Sequence, residues 1–269
     1  VTVQGTAYLS PNLAGDSCTL LGKITGPGAV IKSAAGTLYF SGSLANDYAG
    51  VTTVNSGTLV LNKTVANGAM TNNLIIGDGV GGANADVVRT EVTSQLPNTV
   101  AVTLNSSGQL ILNVDEAFGS LAGSGNVVVN TSASLGADPG FDNSSTTFSG
   151  VISGTGGLNK NGTGTMTLTG NSTYTGDTSV NAGKLVVNGS QPQSPVTVGA
   201  TGILGGSGIV GVIVNTVGGV VAPGASPGIL TCSSVNFSGV NSDFTVELSG
   251  PIAGSGYDQL NVQGTNNLG

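Results

Sequence analysis

The sequence has no histidine and no tryptophan, and only 7% of its 269 residues are charged. Without histidine, the usual base of serine and cysteine nucleophiles is missing, together with the commonest neutral metal ligand. No catalytic triad can be assembled. A single arginine, Arg89, and five lysines leave little to stabilise an oxyanion or a phosphoryl group. Six basic against thirteen acidic side chains give a net charge of −7, so the basic patch that neutralises phosphates is absent and nucleic acid is not an expected partner. No apolar run reaches the ~18 residues of a membrane helix, so no membrane-spanning segment is expected in this chain. No window shows amphipathic helical spacing, and the 46 glycines recur too often for a helix to propagate.

Two cysteines, Cys18 and Cys232, lie far apart. If a turn of about 20 residues rises ~4.8 Å, they are on the order of 50 Å apart, whereas a disulfide needs Cα atoms within about 7 Å. They are expected to be unpaired, as two small buried hydrophobes. The alternative is a cross-link between chains, or Cys18 as an attachment point.

What the chain does have is a repeat. The stretch Gly154–Gly189 reproduces Gly26–Lys63: Gly26, Gly28, Lys32, Gly36, Leu38 and Phe40 fall on Gly154, Gly156, Lys160, Gly164, Met166 and Leu168. After a two-residue insertion in the first copy, Tyr48, Gly50, Val54, Gly57 and Leu59 fall on Tyr174, Gly176, Val180, Gly183 and Leu185. So short a unit cannot bury its own apolar face and must stack on neighbours. Within each copy the apolar residues alternate, as in Thr165-Met166-Thr167-Leu168, which is the period of a strand with one buried face. A glycine introduces each run.

The pattern predicts an all-β chain: a right-handed parallel β-helix (β-solenoid) of roughly a dozen rungs. Residues 1–25 read as a first rung or cap, and 26–269 as the β-helix with repeat copies at 26–63 and 154–189. The start at Val1 and the stop within a repeat-like phrase lead us to expect a fragment or processed part of a longer chain.

Phe148–Gly189, FSGVISGTGGLNKNGTGTMTLTGNSTYTGDTSVNAGKLVVNG, resembles the autotransporter-associated β-strand repeat of bacterial passenger domains. Leu204–Leu230, Tyr257–Gly264, Ile76–Val88 and Leu121–Val127 are also similar to segments of that family. The resemblance implies export and display on the outer surface of a bacterium, or release from it. It also implies a stalk-like role with no catalytic residue to carry over. No outer-membrane β-barrel follows the repeat in this sequence, so the route of secretion is not implied.

Residue by residue, little chemistry is expected. Asp115 and Glu116 would point to opposite faces of a strand. Asp78 lies between two glycines, as in a turn. Gly81-Gly82-Ala83-Asn84-Ala85-Asp86 approaches the Gly-Gly-x-Gly-x-Asp calcium motif of β-rolls, with Asn84 in place of the third glycine. This makes Asp86 a calcium candidate beside its plain reading as a loop residue, and no other cofactor is expected. Gly205-Gly206-Ser207-Gly208 lacks the Lys-Ser/Thr of a phosphate loop. The sequons at Asn143, Asn171 and Asn188 follow from composition. Tyr48 and Tyr174 are expected to pack at a corner. Asp138, Pro139, Gly140 and Asp142 mark the longest excursion, 136–145, and form a candidate interaction loop.

The expected function is non-enzymatic: a rigid secreted or surface-displayed stalk or fibre subunit, self-associating end to end or laterally. One alternative is an adhesin that binds a cell-surface ligand through the excursion. Another is a β-helix that binds or cleaves polysaccharide.

Overall fold

The computed structural model describes residues 1–130, 134–137, 143–224 and 227–268. Among them every regular element is a strand, and the strands pair in parallel as a β-solenoid of about 11 turns. This bears out the fold read from the repeat. The chain forms two compact units, Val1–Gly136 and Ala137–Gly269.

In the first unit, glycine-led alternation puts every second residue inside. Thr37–Gly42 buries Leu38 and Phe40, and Gly108–Leu112 buries Leu110 and Leu112. Parallel register stacks these positions into ladders along the axis. Cys18, Leu38, Leu59, Val88, Leu110 and Val127 form one of them. Across the core, Val30, Thr52, Leu74, Val102 and Leu121 form another. The step from Leu59 to Val88 is longer than its neighbours because it carries the glycine-rich loop 77–85. The strands Leu74–Ile76, Asp86–Thr90 and Ala101–Leu104 supply rungs of these ladders.

In the second unit, Met166, Leu185, Leu204, Val221 and Phe244 make one ladder, and Leu158, Thr178, Val196, Ile213 and Val235 another. A third runs through Gln191, Val210, Cys232 and Val262. Thr178–Val187 turns a corner inside one strand, with a register shift between Val180 and Ala182. A bulge of this kind bends the strand so that it serves two faces.

Both cysteines are free. Cys232 sits in the core, but Cys18 is exposed, which corrects the expectation that both are buried. Cys18 occupies an inward position in register with Leu38, yet among the described residues it is paired on that one side alone. Burial along a solenoid comes from the neighbouring turn as much as from the residue's own face.

Candidate functional site

The two repeat copies place the same polar side chains in the interior. Lys32 and Lys160 are wholly buried. Lys32 Nζ donates to the carbonyls of Ala34 and of Ser56, the latter one turn on at 2.8 Å. Lys160 Nζ donates to those of Gly162 and Ala182, the second at 3.1 Å. Each ammonium therefore clasps two successive turns. Burial drives the pKa of Lys32 down, with the charge of Asp86 opposing this.

The tyrosines pack at a corner as expected. Tyr48 and Tyr174 are buried and their hydroxyls bond Thr52 and Thr178. Tyr174 also donates to Gln191 Oε1 at 3.0 Å. Burial pushes the Tyr174 hydroxyl up to about 12.

Two residues before each of these tyrosines, a side chain substitutes for backbone. Asn46 Oδ1 accepts from Ile24 N at 2.9 Å while its Nδ2 donates to Ala69 O at 2.8 Å, and Ser172 accepts from Ile152 N at the matching place in the second copy. Further along, Gln95 brackets the N–H and C=O of Lys63, at 2.8 and 3.0 Å. Glu116 in turn accepts from the peptide N–H groups of Gln95 and Leu96, at 2.8 and 3.0 Å. Glu116 is 3% exposed, whereas its neighbour Asp115 faces solvent, in line with the alternation expected of the pair. The N–H groups favour the carboxylate but burial outweighs them, and the Glu116 acid is pushed up to about 7.

Asp86 is not a loop residue. It opens the strand Asp86–Thr90 and is 1% exposed. Its carboxylate interacts with the Ser107 hydroxyl and the Asp78 peptide N–H, while Oδ2 has no hydrogen-bond partner. Desolvation holds its acid above the usual carboxylate range, with the Asp78 charge adding to the effect. Asp138, Pro139, Gly140 and Asp142 lie outside the described residues. Asn143, Asn171 and Asn188 are exposed.

Sequence reasoning aligned Lys32 with Lys160 but missed that both ammonium groups are internal. The signal was present in the phase: Lys32 stands two residues after Val30 in a strand whose buried positions alternate. Also missed was a recess of about 800 Å³ at the last turn of the second unit, lined by Val235, Phe237, Phe244, Leu260, Val262 and Leu268 among others. Among the described residues, no three His, Cys, Asp or Glu side chains gather as a metal cluster, and no helix is long and apolar enough to cross a membrane.

Comparison with known proteins matches residues 30–61 and 158–187 to the family described as passenger-associated-transport-repeat. These are the two copies that carry the buried lysines and tyrosines. The adhesin BmaC autotransporter of Brucella suis biovar 1 (strain 1330) is 45% identical over 87 residues, covering 31% of this chain and 2% of that protein. An extracellular serine protease of Serratia marcescens is 47% identical over 83 residues, covering 31% of this chain and 8% of that protein. The matched stretch spans less than a tenth of either relative's length. No solved structure matches.

Proposed function

We propose that this chain, an extracellular or cell-surface segment carrying two copies of the passenger-associated transport repeat, acts as a non-enzymatic rigid spacer in an autotransporter-like passenger. One observation carries the reading: the chemistry that the repeat duplicates faces inward. Lys32 and Lys160, Tyr48 and Tyr174, Thr52 and Thr178 are all buried and bonded within the stack. Groups spent on joining turn to turn hold the stack together and are withheld from any substrate. The serine-protease relative does not change this, since the present sequence contains no histidine to serve a serine nucleophile. Self-association, end to end or lateral, belongs to the same reading.

Negative-stain electron microscopy of the purified chain at several concentrations tests it. Slender rods of constant width support the spacer, and long filaments of that width extend it to a fibre subunit. Compact globular particles would overturn it.

The adhesin relative favours a second reading, in which the excursion 136–145 meets a cell-surface ligand. Deleting residues 138–142 of that excursion, which spares the strand Ser134–Ala137, should abolish attachment of cells displaying the chain. Unchanged attachment would remove this reading.

A further inference from the structure

We propose that Asp86 and Asp78, with peptide carbonyls of the loop 77–85, form a low-affinity calcium site in the first unit. The starting point is a buried acid that the repeat does not require. Asp86 stands in register above Gly57, whereas the matching glycine of the second copy, Gly183, has Gly202 above it. Stacking alone therefore gives no reason for a carboxylate here.

That carboxylate is inside, at 1% exposure, with Oδ2 lacking a hydrogen-bond partner. A buried polar atom left unpaired is costly and points to something that completes it. Asp78, whose peptide N–H bonds this carboxylate, belongs to a stretch, 78–84, that is exposed throughout. The loop also has room to adjust. A side chain added at Gly82 would meet nothing within 4 Å, and at Gly79 only the Ser106 hydroxyl at 3.9 Å. Asp78, on this loop, is close enough for its charge to act on Asp86.

The donors are all oxygen, which selects a hard cation, and a flexible set of carboxylate, carbonyl and water oxygens suits calcium better than the strict octahedron of magnesium. Lys32 is the opposing group; its charge is felt at Asp86, but its ammonium is held by the carbonyls of Ala34 and Ser56. Two carboxylates against one ammonium leave a net negative site. With only two acids, the affinity falls in the range of about 10⁻⁴–10⁻³ M typical of extracellular modules.

Isothermal titration of calcium chloride into the chelator-treated chain, paired with thermal unfolding, tests the site. One ion per chain should bind with a Kd in that range, and Tm should rise with calcium concentration. D86N should abolish binding. D78N alters an exposed side chain but keeps Oδ1, which accepts from the Val80 N–H at 2.8 Å, and should weaken binding at least about tenfold. Absence of both heat and Tm shift up to about 10 mM calcium, well above that range, would overturn the proposal. So would wild-type affinity in folded D78N, or an equal response to magnesium.

Discussion

Lys32 and Gly57 converge on one oxygen atom, the carbonyl of Ala34. The lysine ammonium donates to it, and a Cβ built on Gly57 would lie 2.6 Å away from it. The second copy repeats the relationship with Lys160 and Gly183 on the carbonyl of Gly162. A repeat recognised by its lysine and its glycine is thus recognised by the two halves of one joint between turns.

Removing the lysine should open that joint. K160M keeps the aliphatic volume but leaves the carbonyls of Gly162 and Ala182 without their side-chain donor. Stranding two carbonyls, buried at Gly162 and half-buried at Ala182, outweighs relief of a buried charge, because each costs about 1–3 kcal/mol. Urea unfolding should show a loss of about 2–4 kcal/mol, and likewise for K32M. An unchanged midpoint in both variants would mean that the ammonium contributes nothing.

The glycine makes a separable prediction. Gly57 has φ of 70° and a Cβ there would meet three carbonyl oxygens at 2.6 Å, whereas Gly82 has φ of 87° and a Cβ there would meet open space. G82A should therefore cost only the backbone strain, about 1–2 kcal/mol. G57A should cost more, since backbone atoms must move as well. Comparing the two variants in one denaturation series checks the order.

Stability should depend on pH through Glu116. Its acid lies at about 7 in the folded chain against 4.5 for the free side chain, and only burial and three peptide N–H groups set the shift. The folded state therefore holds a proton that the unfolded state releases between these values. The stability this contributes is complete below the unfolded value and is lost as pH rises through about 7. The change is about 3 kcal/mol in size. E116Q should flatten the slope between pH 4.5 and 7, whatever its effect on absolute stability. A slope that survives the substitution would assign it elsewhere.

The cysteines should separate by reactivity. Cys18 is exposed, while Cys232 is 1% exposed with its thiol pushed by burial up to about 11. A thiol reagent should titrate one group in the native chain and two after denaturation. Two fast thiols in the native chain would contradict the packing of Cys232 between Val210 and Val262.

The sequence by itself determined the class of fold. Two copies with matched landmarks and an alternation such as Thr165–Leu168 admit one economical solution, parallel turns stacked so that each covers the next. Alternation is a local property of the strand, and so is the separation of Asp115 from Glu116 to opposite sides. Only the tertiary structure decided what depends on the neighbouring turn. Cys18 and Cys232 both occupy inward positions, yet one is wet and the other dry, because Cys232 is stacked between Val210 and Val262 whereas Cys18 is paired, among the described residues, with Leu38 alone. Lys32 is only a repeat landmark along the chain until Ser56, a turn away, supplies the second carbonyl that makes its burial tolerable. Asp86 reads as a loop residue until stacking sets it between Gly57 and Gly108. Phase is written along the chain, but cover and hydrogen-bond partners come from residues about twenty positions away or more, and those meet only when the solenoid closes each turn.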